Sequence, residues 1–264
     1  TADAAAIAAE LGVPVVGIPE LVGHLTATPG VTGIDFNKGG TVDLAESLGI
    51  DVECDAATVR RSIESAGIGL FNGMSPRIHP AALGRILSQI RFGSTLNIVA
   101  SLAHPARPTR ALRGVYHPAL TEHVAALMQR IGYAHAWLVC GMDAASGRFM
   151  DELSPCGTTR VTTLTPQGIH TTHIEPEEAG IARCRLADLL RRETPAGEQE
   201  RFLAALSGQG EKALEDFISL NAAAILVVTD KAADLREGVA ISRRLMASGA
   251  AIEKLAEWKK VQQR

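Results

Sequence analysis

The sequence has no run of basic residues and no aromatics interleaved among its lysines and arginines, which argues against an extended nucleic-acid surface. With 26 Lys and Arg against 29 Asp and Glu, the formal net charge is -3, so attraction to an anionic membrane is not expected either. Long hydrophobic runs are also missing. The longest, Ala222 to Val228, falls well short of the roughly 20 residues that a crossing helix requires. The first residues, Thr1-Ala2-Asp3-Ala4-Ala5-Ala6, lack the basic start of a secretory signal. Cysteine is sparse: Cys54, Cys140, Cys156 and Cys184 stand far apart, with no Cys-x-x-Cys spacing. That usage suits reduced, structural thiols in a cytosol, so a cytoplasmic protein is expected.

What is present is enough apolar material for one large core: 264 residues, 46% hydrophobic and 21% charged. An Ala-rich helix from Ala2 to Leu11 stops at Gly12 and leads to a short strand, Val13 to Val16. Gly17 to Gly40 is a long Gly-, Pro- and Thr-rich loop of the kind that carries function. Thr41 caps a short helix through Leu48, and Asp55 caps another that places Val59, Ile63 and Ala66 on one face. A helix near Ala81 to Ile90 and a strand near Leu96 to Leu102 follow. Beyond Pro108 come a strand at Ala111 to Val115, a helix with Leu120, Val124, Leu127 and Ile131 at helical spacing, and a strand at Ala134 to Cys140.

Alternation of strands with helices predicts an α/β fold with a largely parallel central sheet flanked by helices, its ligands at strand C-terminal ends. Arg160 to Thr165 and Ile169 to Glu175, around Pro166-Gln167-Gly168, read as a β-hairpin. The rest is helical: Leu186 to Arg192, Gly197 to Ser207, Lys212 to Thr229, Leu235 to Ala247 and Ala250 to Gln262. The expectation is one domain over residues 1–264, with 55–92 as a helical subdomain segment.

The most informative residues are Asp151-Glu152, which follow the Ala134 to Cys140 strand and continue as Leu153-Ser154-Pro155-Cys156-Gly157-Thr158-Thr159-Arg160-Val161. Adjacent carboxylates at a strand-loop edge are poor core material and good hard-cation ligands. Mg²⁺ takes a few carboxylate oxygens and fills its remaining positions with waters and substrate phosphates, so such a pair can hold a metal-diphosphate without a protein cage. His170 and His173, with Glu175, Glu177 and Glu178 nearby, do not make a metal cluster, because positions three apart on a strand face opposite ways. Asn221, inside a very apolar helix, reads as a satisfied core polar residue. Arg107, Arg110 and Arg113 read as solvated, and no nucleophile with a base and an orienter is visible.

Four stretches, in order, resemble the anthranilate phosphoribosyltransferase family: Gly40-Thr41-Val42-Asp43-Leu44-Ala45-Glu46-Ser47-Leu48-Gly49, Ile78-His79-Pro80-Ala81, Asp151-Glu152-Leu153-Ser154-Pro155 with Thr159-Arg160-Val161, and Leu206-Ser207-Gly208 leading to Leu220-Asn221-Ala222-Ala223-Ala224. The resemblance implies transfer of the 5-phosphoribosyl group of phosphoribosyl diphosphate to the amine of a small aromatic acid such as anthranilate, in tryptophan biosynthesis, by a homodimer. It also implies that Asp151 and Glu152 bind Mg²⁺ and that Asn37-Lys38-Gly39-Gly40-Thr41 holds diphosphate at a helix N-terminus. His79 stands at the acceptor-side histidine.

The family's Gly-Thr-Gly-Gly-Asp loop and N-terminal helical bundle would lie before Thr1, and its Lys-His-Gly-Asn motif is replaced by Gly17-Ile18-Pro19-Glu20-Leu21. No catalytic residue is assigned. Two alternatives stay open. One is a pyrimidine-nucleoside phosphorylase, which Gly39-Gly40-Thr41-Val42-Asp43 and Glu46-Ser47 also resemble. The other is an inactive relative or fragment that acts as a binding protein.

Overall fold

A computed structural model of the chain describes residues 15–17, 41–71, 77, 102 and 107–263. The expected Ala2 to Leu11 helix, the Gly17 to Gly40 loop beyond Gly17, the Ala81 to Ile90 helix and nearly all of the Leu96 to Leu102 strand fall outside them.

Strand β1 (Val15–Gly17) pairs in parallel with β2 (Ile68–Leu70), a strand the sequence reading does not anticipate. Between them lie α1 (Thr41–Ser47) and α2 (Ala56–Ala66). Asp55 starts α2 as expected: its carboxylate accepts from Thr58 N at 2.8 Å, and Gly67 ends the helix at φ 72°.

The larger sheet runs in the order β3 (Arg110–Gly114), β4 (His135–Met142), β6 (Thr159–Thr165), β7 (Gly168–Ile174), with β5 (Phe149–Met150) also on β4. The pair β3–β4 is parallel and is joined by α3 (Leu120–Ile131), the crossover that parallel strands need. The remaining pairings, β4–β5, β4–β6 and β6–β7, are antiparallel. The fold is therefore α/β, and its five-stranded sheet is mixed among the described residues because the expected hairpin joins the sheet itself.

Helices cover both faces of this sheet. On one face α3 buries Val124, Ala125 and Met128 against Ala136, Leu138, Cys140 and Leu164. The buried stripe is thus Thr121, Val124, Ala125 and Met128, whereas Leu127 and Ile131, two of the residues read at helical spacing, are 41% and 57% exposed. Both stripes have helical spacing, and sheet contact selects between them. On the other face Val139, Leu153 and Val161 meet Leu220, Ala223 and Ala224 of α6 (Lys212–Val228) and Val239 of α7 (Leu235–Ala247).

Helix α6 also gives Ile218 and Ala222 to a second cluster with α1, α5 (Pro195–Leu206) and α8 (Ala250–Gln262). A helix shared between two cores must be apolar nearly all round, which is why its sequence is. Helix α4 (Leu186–Leu189) is shorter than the expected Leu186 to Arg192. The guanidinium of Arg201, 5% exposed, takes the carbonyls of Asp188 (2.7 Å) and Leu190 (3.0 Å), and Leu190 turns extended.

Candidate functional site

Strands β3 and β4 run in parallel; β3 ends at Gly114, opposite Val139, and β4 continues past it through Gly141 to Met142. The loop from Asp151 to Thr158 enters from β5, whose Met150 opposes Gly141, and leaves into β6. It lies directly on both strand ends. A Cβ at Gly114 would fall 1.6 Å from the Asp151 carbonyl oxygen, and one at Gly141 would fall 2.5 Å from that of Glu152. Only glycine permits such backbone approach, so two hydrogen-only side chains seat the acid pair at the C-terminal edge of the parallel strands.

The loop backbone is held from within and from α6. Asn221 Oδ1 accepts from Leu153 N at 2.9 Å, while Asn221 Nδ2 donates to Leu153 O and Phe217 O, both at 3.1 Å. Ser154 N donates to Thr159 Oγ1 at 2.9 Å, and Ser154 Oγ donates to Met142 O at 2.8 Å while accepting from Cys156 N at 3.0 Å. Leu153, Ser154 and Cys156 are buried, whereas Asp151 and Glu152 are half-buried. A rigid backbone thus carries two carboxylates to the edge of the core, an arrangement that limits the reorganisation needed for ligand binding.

The charge of Asp151 reaches Cys140, whose thiol is pushed up to about 12 by burial first and by Asp151 second, with Arg160 opposing. Arg160 lies opposite Cys140 on β6 and is engaged elsewhere, donating to Thr121 Oγ1 (3.1 Å) and Glu122 Oε1 (2.7 Å). Glu122 also accepts from Thr171 at 2.8 Å, which ties α3 to β6 and β7.

As a metal site, the donor set is two carboxylates. No group of three or more His, Cys, Asp and Glu suited to an ion occurs among the described residues. Two hard oxygen donors without a cage fit Mg²⁺ that shares its shell with phosphate oxygens and do not fit a structural zinc.

Of the residues singled out in the sequence, Asp151 and Glu152 lie together on this loop. Thr41 is the first residue of α1, and its side chain, like Asn37, Lys38, Gly39, Gly40 and His79 as a whole, lies outside the described part. His170 and His173 stand on β7 opposite Thr163 and Arg160. Asn221 is satisfied, as expected, but its role as the clamp of the acid loop was not foreseen; a lone amide in an apolar helix is the signal. Gly114 and Gly141 were also missed, although a glycine at or next to the end of each of two adjacent strands hints at close backbone approach. Arg110 is not simply solvated. It pairs with Asp230 at 2.5 Å and donates to Val228 O at 2.6 Å, which ties β3 to the end of α6.

A family model described as "Glycosyl transferase family, a/b domain" matches residues 32–252. The anthranilate phosphoribosyltransferase of Brucella suis biovar 1 is 35% identical over 218 residues, 82% of this chain and 61% of that protein. The protein of the same name from Brucella abortus strain 2308 is 35% identical over the same 82% and 61%. The chain therefore spans 61% of the length of these curated relatives. Among solved structures, anthranilate phosphoribosyltransferase from Thermus thermophilus superposes with a TM-score of 0.79 at 28% identity, covering 100% of this chain and 73% of that one. The Saccharomyces cerevisiae enzyme in complex with PRPP and Mg gives a TM-score of 0.79 at 20% identity over 99% of this chain and 68% of the yeast chain, a likeness of fold.

Proposed function

The chain belongs to the glycosyl transferase family defined by that a/b domain, and from this premise we propose that it acts in Mg²⁺-dependent transfer of a 5-phosphoribosyl group to an aromatic amine of the anthranilate type. The observation that carries the reading is the Asp151-Glu152 loop, seated by Gly114 and Gly141 on the C-terminal ends of two parallel strands and clamped by Asn221. In open α/β sheets, that edge is where ligands bind. The names of the Brucella relatives support the acceptor class, and the yeast protein of the same fold binds PRPP and Mg.

In this reading Asp151 and Glu152 hold the cation, and Asn37, Lys38, Gly39, Gly40 and Thr41 meet the diphosphate at the start of α1. His79 contacts the acceptor. Mg²⁺, when bound, supplies positive charge to the departing diphosphate oxygens. The chain's own residues fix and orient rather than abstract a proton: the two carboxylates position the polyanion, and the backbone clamps keep them from swinging away as charge builds. The unit works as a single domain over residues 1–264 and as a cytoplasmic homodimer; the expected helical segment 55–92 is not helical throughout, since α2 (Ala56–Ala66) gives way to strand β2 at Ile68–Leu70.

The test is thermal unfolding with and without Mg²⁺ and phosphoribosyl diphosphate. A ligand present at 100 times its Kd stabilises by about 2.7 kcal/mol, and for a domain of this size each kcal/mol raises the midpoint by roughly 2–4 °C. Asp151→Ala with Glu152→Ala abolishes that rise. A parent protein whose midpoint does not move, with or without an aromatic amine acceptor, refutes the reading. A rise produced equally by inorganic phosphate without Mg²⁺ favours the phosphorylase alternative instead.

A further inference from the structure

The acid loop carries a second chemically distinctive group. Cys156 is buried in it, and its sulfur lies 3.5 Å from that of Cys184, in the segment that follows the 3₁₀ turn Pro176–Ala179. The two backbones are already joined beside the sulfurs, with Cys184 N donating to Pro155 O at 3.1 Å. Thr158 Oγ1 donates to Glu175 Oε1 at 2.6 Å, so the loop is also tied to the residue that opens the 3₁₀ turn leading to Cys184. Cys184 is half-buried between the exposed residues Arg183 and Arg185, whereas Cys156 is buried, so Cys184 is the member of the pair nearer to solvent. Cys54 and Cys140 are buried elsewhere, Cys54 beside Gln262 and Cys140 under α3.

We propose that Cys156 and Cys184 are an oxidative modification site, closing to a reversible disulfide that displaces the acid loop. The oxidant is a peroxide. Cys184 loses a proton, and its sulfur attacks one peroxide oxygen, giving a sulfenic acid and releasing hydroxide, which takes up that proton as water. The Cys156 sulfur then attacks the sulfenic sulfur, a sulfur–sulfur bond forms, and hydroxide leaves with the Cys156 proton as a second water. Two thiols are oxidised by two electrons and one peroxide is reduced to two waters.

Closure brings sulfurs now in van der Waals contact to a bond of about 2.05 Å, a movement of roughly 1.5 Å. Cys156 N donates to Ser154 Oγ, which donates to Met142 O, so the displacement passes along the loop toward Glu152 and Asp151. Burial raises Cys156 to about 12 and also raises Cys184, which keeps the reduced pair inert to traces of oxidant and reserves closure for high peroxide load.

The full chain is treated with excess hydrogen peroxide, unfolded in an alkylating reagent, and mapped with a protease that cuts after glutamate. The expected result is a joined peptide containing Cys156 and Cys184, two hydrogens lighter than the separate peptides and released by dithiothreitol, with Cys54 and Cys140 alkylated. Cys184→Ser removes the joined peptide. Cys156 and Cys184 both recovered alkylated, or Cys156 joined to Cys54 or Cys140, overturns the proposal. A second arm, which rests on the function proposed above, measures the rise in melting temperature with Mg²⁺ and phosphoribosyl diphosphate. The rise is at least halved in the oxidised parent, restored by dithiothreitol and unaffected by peroxide in Cys184→Ser; an undiminished rise in the cross-linked protein refutes the displacement. No rise in the reduced parent counts against the proposed function alone, and the peptide map still decides the cross-link.

Discussion

Replacing Asn221 isolates what the clamp contributes to the loop it holds. The amide satisfies both backbone groups of the buried Leu153, accepting from its N–H at 2.9 Å and donating to its C=O at 3.1 Å. In Asn221→Ala both lose their partner in a dry environment, and each stranded group costs about 1–3 kcal/mol. The third bond, to Phe217 O, adds little, because a carbonyl inside α6 keeps its helical partner. Allowing for partial relaxation, the loss is about 2–4 kcal/mol, which corresponds to a fall in the melting midpoint of roughly 5–15 °C for a domain of this size. Thermal unfolding followed by circular dichroism measures it directly. Asn221→Asp separates hydrogen bonding from volume: the side chain is nearly isosteric, but an ionised carboxylate is acceptor-only and faces the carbonyls of Leu153 and Phe217. Its midpoint falls at least as far as that of Asn221→Ala. If Asn221→Ala unfolds within about 2 °C of the parent, the clamp is energetically idle and the account of a preorganised acid loop is wrong.

Further predictions concern the seat of the loop and the pH response. Gly114→Ala places a methyl 1.6 Å from the Asp151 carbonyl, so the loop must lift; overpacking costs about 1–3 kcal/mol or more, and the Mg²⁺-dependent rise in midpoint shrinks beyond that loss. Enough Mg²⁺-dependent rise to equal that of the parent would show that the loop tolerates the displacement. His135 titrates below its ordinary value of 6.5, chiefly because burial disfavours its charged form and Arg110 repels it, with Asp230 and the Val228 carbonyl opposing. A base whose folded pKa is depressed binds fewer protons folded than unfolded, so its neutral form contributes fully above the unfolded value and the benefit is lost as pH falls below it. Urea midpoints therefore decline from about pH 7 to about pH 5, and His135→Gln flattens part of that decline; an equal slope in the variant removes His135 from the account.

Much of the helical half was legible because its boundaries are chemical. Asp234 accepts from Glu237 N at 2.8 Å at the start of α7, and Ser248-Gly249 separates it from α8, so both helices begin and end where sequence reading puts them. The inward face of α3 was not legible, since Leu120-Val124-Leu127-Ile131 and Thr121-Val124-Ala125-Met128 obey the same period and only the sheet beneath distinguishes them. Strand direction is equally silent in an apolar run, and so the antiparallel pairing of β4 with β6 emerges only from topology. At the site, the two carboxylates declared their chemistry by type and adjacency. Their support did not, because Asn221 lies 68 residues along the chain from the backbone it grips, and because what a glycine leaves out becomes visible only when another segment fills the space.

The acid loop is spliced between β5 and β6, both of which are hydrogen-bonded to β4 in fixed register. One residue more or fewer between Met150 and Thr159 would either turn every side chain of β6 to the opposite face of the sheet or be absorbed by abandoning the contacts with Gly114 and Asn221. Length in this segment is thus as strictly constrained as residue identity, whereas the exposed Gln167 turn between β6 and β7 has room to grow. Insertions and deletions accumulated by descendants of this chain should spare the first stretch and collect at the second.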